Sequence, residues 1–421
     1  MSVFINILIA LIAIILLLYV LKRDLGLFLL SFIIIIQYIW MFLSLIVIES
    51  GIFINEQGRK GYFVYSSIIL LLFFISTLLS LIFFKKIFTY LFNKMKVTRF
   101  HFLRFSEEKI TLVILASVLL ISFINIFLSP IPLFSDKVNK FNFWDYAKFP
   151  FLKPFIGNIL GFMAFGAALL YRSYKKSAII LIVLYFLYLV FLGQKFSGFL
   201  VGIYGLLLAF YFSSQIHIKF RMKWFLNKYT IGTIILLFLI VLYKYTLNNP
   251  FEYLGLTPLE SVFYRAFGLQ AHVFWGVVEQ YIYLGKQNTW NPLELWKGMH
   301  HLMLEFWPWS HQDYISVTTR GLSWTNAYPS ILIRIFPLPI ALIANFFLIS
   351  FVAFIQTLLL IFIKKNSILM SVLLFQLLTW TSYAFTMAYF NRLVIPILFI
   401  SIYFLFKLAL FYVNRGKSIE T

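Results

Sequence analysis

The chain has 421 residues, 62% of them hydrophobic and 21% aromatic, with a mean hydropathy of +0.94 and only 12% charged residues. Soluble domains run at roughly 45 to 50% apolar and about 25% charged, so this composition excludes a water-soluble fold and requires lipid around most of the chain. Cysteine is absent, which removes disulfide frameworks, cysteine zinc sites and thiol nucleophiles together.

Runs that can cross about 30 Å of hydrocarbon need about 20 apolar residues each. In chain order they fall at residues 2–21, 25–48, 62–84, 110–129, 154–171, 177–193, 198–214, 230–247, 338–363, 367–389 and 393–413. The expectation is an all-α polytopic membrane protein of about eleven transmembrane helices, one membrane domain over 1–421, with no internal repeat or low-complexity tail. The first run lacks a basic leader and a small-residue cleavage site, so it reads as a retained helix. The short sixth and seventh runs flank a Gly193-Gln194-Lys195-Phe196-Ser197-Gly198 break and could equally form one broken hairpin.

The connections separate by charge. Alternate loops, with the C-terminal tail, carry 21 basic and 4 acidic residues, a net of +17, and the opposite side carries only +4. Cytoplasmic loops hold the Lys and Arg excess, so the N-terminus is expected outside and the C-terminus inside. The net charge of +21 is then mostly a topology signal, and a nucleic-acid partner loses its motive.

One outer segment departs from the apolar pattern. Residues 248–326 hold six of the ten tryptophans, four of the six histidines and six of the fourteen acids. Tryptophan concentrates at membrane boundaries, so an interfacial re-entrant region accounts for part of this. A site for a polyhydroxylated ligand accounts for it too, because indole faces stack on sugar rings while acids and imidazoles bond hydroxyls. Trp275, Trp296, Trp307 and Trp309 are the candidate sugar platforms.

Within the loop, 258–286 reads as an amphipathic helix, with Pro258 suited to its first turn. Arg265, His272, Glu279 and Lys286 recur every seven residues, about 20° short of two turns, and would share one polar stripe facing a cavity or solvent. A second helix near Pro292 places Glu294, Lys297, His301 and Glu305 on one face. Neither pattern has the tight spacing of a metal motif, so no metal and no cofactor is expected.

Cations in apolar surroundings complete the set. Lys195 in the glycine-flanked break, Arg334 in the 330–336 stretch, and Arg392 between the last two spans join Arg265 and Arg320 on the outer side. Basic residues at membrane depth cost about 2.5 to 3.5 kcal/mol and face a cavity or a partner. If the five converge without acidic neutralisation they form an anion site, and arginine forks suit phosphate oxygens. Lipid diphosphate is the expected ligand.

The layout resembles the O-antigen polymerases of the Wzy type, oligosaccharide repeat-unit polymerases of bacterial inner membranes. The resemblance is architectural over the whole chain and rests on Gly193-Gln194-Lys195 before a short span, Arg265 near the start of an amphipathic helix, and Gly321-Leu322-Ser323-Trp324-Thr325-Asn326-Ala327-Tyr328-Pro329 entering the next span. It implies transfer of a growing glycan from undecaprenyl diphosphate onto another lipid-linked repeat unit at the periplasmic face, without metal or nucleotide sugar, with a chain-length regulator as protein partner. It implies diphosphate contacts for Arg265 and Lys195, and less directly for Arg320, Arg334 and Arg392. Glu279, His272 and His301 are the candidate catalytic bases by position. The rival reading is a lipid-linked oligosaccharide flippase, which would also use a cationic cavity but is expected to show internal symmetry.

Overall fold

A computed structural model describes residues 2–51, 65–94, 107–135, 138, 142–153, 156, 161–193, 196–213, 255–306, 326–402 and 405, with ten single positions between 232 and 252. The described residues are helical and contain no strand. Six helices are long and apolar enough to cross a membrane: Val3–Arg23, Phe32–Glu49, Ser66–Lys94, Glu107–Phe127, Leu338–Lys364 and Ile368–Met387. The chain has the make-up of a multi-pass membrane protein.

The other expected spans resolve differently. Residues 25–48 divide into α2 (Leu25–Leu30) and α3 (Phe32–Glu49) at Ser31, following α1 (Ser2–Arg23), and Asp24 caps α2 by accepting from the Leu27 amide at 2.7 Å. α4 (Ser66–Lys94) and α5 (Glu107–Phe127) are long and continuous. After the short α6 (Phe143–Tyr146), the described part of the run at 154–171 includes α7 (Met163–Leu170), eight residues, all buried; residues 154, 155 and 157–160 lie outside the described residues. The next two runs form α8 (Lys175–Phe191) and α9 (Phe196–Ser213). The run at 230–247 lies largely outside the described residues, as does Lys195.

The sequence reads as one membrane domain, and the structure divides into two compact units. The first comprises 1–82, 218–350 and 382–391. It holds α10 (Pro258–Phe263), α11 (His272–Val278), α12 (Gly298–Phe306), α13 (Ser330–Ile335) and the first part of α14 (Leu338–Lys364). One set of polar side chains in its apolar interior is matched internally, as hydrocarbon favours. Tyr38 and Thr77 hydroxyls lie 3.1 Å apart, Asn345 donates to Thr77 at 3.1 Å and to Ser76 at 3.0 Å, and the Tyr328 hydroxyl donates to Asn345 at 2.6 Å. Glu49, at the end of α3 and 5% exposed, accepts from Asn6 at 2.6 Å, from the Tyr65 and Ser66 amides at 3.2 and 3.1 Å, and from the Ser66 hydroxyl. The two amides precede and begin α4, where unpaired N–H groups need an acceptor.

The second unit comprises 83–217, 351–381 and 392–421, and includes α15 (Ile368–Met387) up to Thr381. Small residues let its helices approach closely. A Cβ on Gly166 would sit 3.0 Å from Leu115 and 3.1 Å from Val372, and one on Gly205 would sit 3.1 Å from Phe165. Phe165 and Phe375 stack with centroids 4.2 Å apart.

In the first unit Gly298 opens α12 where its amide donates to the Ala388 carbonyl at 2.7 Å. A Cβ there would meet the Ala388 Cβ at 2.8 Å and Ile331 at 2.9 Å. Gly298→Ala is therefore expected to destabilise by about 1 to 3 kcal/mol, the ordinary cost of overpacking, and thermal unfolding of the purified protein checks it; an unchanged midpoint contradicts this packing.

Candidate functional site

The 258–286 stretch does not form one helix. α10 starts with a capping box in which Thr257 and Glu260 exchange bonds, Glu260 accepting from the Thr257 amide at 2.8 Å. It runs into a π turn at Tyr264–Gly268, breaks at residues 269–271, resumes as α11, and ends in a second π turn at Glu279–Tyr283. Each π turn holds an extra residue, and one residue is worth about 100° of helix rotation. The seven-residue stripe is therefore lost, which corrects the sequence expectation. Arg265 is exposed, His272 is 1% exposed, Glu279 is half-buried and Lys286 is exposed.

Packing explains this sorting. α11 reads His-Val-Phe-Trp-Gly-Val-Val, apolar nearly all round, and all seven residues are buried. No face of it is left for a cavity. The Ala271 amide donates to Ser44 of α3 at 3.0 Å, and the Trp40 indole of α3 donates to the Ala266 carbonyl. Trp275 is fully buried, so its indole serves the core and offers no platform to a sugar. His272 places Nδ1 2.6 Å from the Leu269 carbonyl. Tyr264 points inward, fully buried and packed with Leu269, Tyr245 and Leu256. Gly268 makes room for that ring, since a Cβ would come within 2.6 Å of it. With Tyr264 fixed inward, the next residue, Arg265, is held outward. Among the described residues Arg265 forms no ion pair.

The densest charge cluster lies elsewhere in the same unit. Arg334, on the last turn of α13, donates through Nε to Glu294 at 2.7 Å and through a terminal nitrogen to Glu305. Its side chain is 16% exposed and both carboxylates are 10% exposed. Glu305 also accepts from the Tyr281 hydroxyl at 2.9 and 3.0 Å and from Lys286 at 2.5 Å. Burial, reinforced by Glu294 against the opposing Arg334, holds the Tyr281 phenol above its ordinary value, so it remains a donor. The face expected to carry Glu294, Lys297, His301 and Glu305 does bring the two acids together, through the 3-10 turn Pro292–Lys297 and α12. Lys297 is exposed and His301 is half-buried. Arg334 was expected as an unneutralised cation, and the structure gives it two carboxylates.

The stretch between Tyr281 and Glu294 is pinned to α13 by backbone bonds. The Asn288 side chain donates to the Ile333 carbonyl at 2.7 Å, and the Thr289 and Trp290 amides donate to the Arg334 and Ile335 carbonyls at 3.0 Å each. The Asn326 side chain donates to the Gln270 carbonyl at 2.6 Å, tying the other end of the loop back to the 269–271 break.

Among the remaining candidates, Trp296 is 52% exposed. Arg392 belongs to the second unit, where its guanidinium lies 5.8 Å from the Trp380 ring centroid, within cation–π range. Lys195, Arg320, Trp307 and Trp309 lie outside the described residues. Tyr281 and Asn288 were not singled out from sequence. The only signal for them was an apolar arginine needing nearby acids and a loop needing an anchor.

Residues 292–402 match a family of unknown function, DUF6418. That is about a quarter of the chain, and it includes Glu294, Glu305 and Arg334. No curated protein and no solved structure matches the chain.

Removing Arg334 leaves two poorly solvated carboxylates facing each other. Arg334→Ala is expected to cost about 3 kcal/mol, the low end for stripping one partner from a buried pair, and Arg334→Met with Glu294→Gln and Glu305→Gln should recover most of it; thermal unfolding of both proteins decides. A pH effect arises at His300, where burial first, then His301 and Lys297, hold the imidazole below its ordinary value. The unfolded chain then binds the proton more readily, so stability is lost as pH falls below about 6.5. His300→Gln should flatten the decline in unfolding temperature between about pH 7 and pH 5; an identical decline removes His300 from the account.

Proposed function

We propose that the protein is a membrane glycosyltransferase that polymerises undecaprenyl-diphosphate-linked oligosaccharide repeat units at the periplasmic face of a bacterial inner membrane, as O-antigen polymerases of the Wzy type do. The observation that carries the reading is Arg265, exposed, set on a π turn anchored by buried Tyr264, and free of ion pairs among the described residues. A guanidinium in that state can give its whole charge and its planar fork to a diphosphate. Arg334 has spent most of both on Glu294 and Glu305.

In the proposed reaction a hydroxyl of one lipid-linked unit attacks the anomeric carbon of a second. The new glycosidic C–O bond forms as the bond from that carbon to the diphosphate oxygen breaks. The lipid diphosphate leaves with the bonding electrons, and Arg265 stabilises the charge that grows on it. The hydroxyl proton passes to a side-chain base or to the departing diphosphate. Glu279 and His301, half-buried, are better placed for that proton than His272, which is enclosed. Trp296 presents an open indole face for a sugar ring. Lys195 and Arg320 keep their proposed diphosphate contacts and Trp307 and Trp309 their sugar contacts, on the strength of the sequence alone. No metal enters the scheme, and a chain-length regulator is the proposed protein partner.

The test is complementation of a deletion strain with Arg265→Ala, read as a lipopolysaccharide ladder at matched protein level. The expected outcome is a lipid core bearing a single repeat unit, since losing a charge-stabilising donor costs about 10²- to 10³-fold in rate. A normal ladder overturns the assignment. Loss of the single repeat unit as well points to a flippase instead.

A further inference from the structure

The segment 283–297 combines three observations that the glycan reading does not use. First, its outward side chains are apolar and open: Tyr283 is 53% exposed, Leu284 66%, Trp290 58% and Leu293 80%. A surface of that kind on a soluble protein would mark a docking site. Second, the charges are sorted across it. Glu294 turns inward onto Arg334 and Lys286 is held by Glu305, while Lys297 stays on the open side.

Third, the segment is fastened beside the start of a candidate span. The bonds from the Asn288 side chain and the Thr289 and Trp290 amides land on the carbonyls of Ile333, Arg334 and Ile335. The Trp290 ring packs edge-on against Phe336, centroids 5.8 Å apart, two residues before α14 begins at Leu338. On the first turns of α14, Ile340, Ile343 and Phe347 are 41 to 60% exposed, as lipid-facing residues are. So the segment is tied to the chain that leads into one membrane-length helix, α14.

We propose that 283–297 is a membrane-interface surface, with Trp290 and Leu293 set among the lipid headgroups and upper acyl chains, and with Lys297 facing lipid phosphates. Tryptophan and tyrosine prefer this depth, and basic residues beside an apolar face favour anionic lipid. The occupant of the surface is the bilayer itself. The claim goes beyond the catalytic reading and stands whether or not that reading holds.

The cysteine-free chain makes the test direct, since one introduced cysteine is a unique label site. Leu293→Cys, and Ile343→Cys as a hydrocarbon reference, are labelled with a polarity-sensitive fluorophore in the full-length protein. Both are reconstituted in vesicles of phosphatidylethanolamine and phosphatidylglycerol. Quenching is compared for nitroxides high and low on the lipid chain and for aqueous iodide. The expected result is loss of most emission at position 293 with the shallow nitroxide and little with iodide, while position 343 responds best to a deeper one. Strong iodide quenching without lipid quenching overturns the proposal in favour of an aqueous surface. Protection from both quenchers overturns it in favour of a protein partner, a second copy included. Trp290→Cys repeats the measurement if Leu293→Cys fails to fold.

Discussion

An arginine in apolar surroundings must be neutralised or hydrated, and in the first unit Arg334 is neutralised by two carboxylates that come from more than 25 residues earlier in the chain. Glu294 and Glu305 sit on either side of Gly298, so satisfying both fixes the path from Pro292 to Phe306. That path sets Gly298 against Ala388. Tyr281 and Lys286 follow Glu305 into the same cluster, which determines where the chain between them and Pro292 must lie. One guanidinium thereby organises about 25 residues that carry too little apolar pattern to organise themselves. It also sets the limit on what Arg334 can do, because a cation already holding two carboxylates has little charge left for a ligand.

The membrane character of the chain was legible at once, because mean hydropathy and span length are sums over many residues and tolerate local error. The long helices at Ser66–Lys94, Glu107–Phe127 and Leu338–Lys364 were legible for the same reason. The break of the expected 258–286 helix was not. Seven-residue spacing assumes an unbroken α register, and two π turns with a break between them are invisible to it. His272 and Trp275 were taken for site residues because polar and aromatic types stand out in an apolar sequence; packing against α3 instead encloses them. The shared face of Glu294 and Glu305 was read correctly, while their partner, 40 and 29 residues further on, depends on tertiary structure alone.

The proposed chemistry and the proposed interface meet in the geometry of one unit. Arg265 is held outward by a buried tyrosine, and the 283–297 surface is fastened beside the start of α14. A substrate whose reacting diphosphate is joined to a long hydrocarbon tail cannot leave the bilayer to reach an enzyme, so an enzyme for it must bring its polar groups to headgroup depth. A surface settled at that depth serves this requirement without any large movement of the protein.

The two π turns that bracket α11 have a consequence for how such a protein can change over generations. Substitution at Arg265 alters one side chain and nothing else. Deleting one residue from the Tyr264–Gly268 turn would restore ordinary α-helical winding and swing everything before it by about 100°, carrying the arginine off its face while leaving α11 seated. A single-residue insertion or deletion there re-aims the arginine by a whole helical step, which no substitution at the position can do.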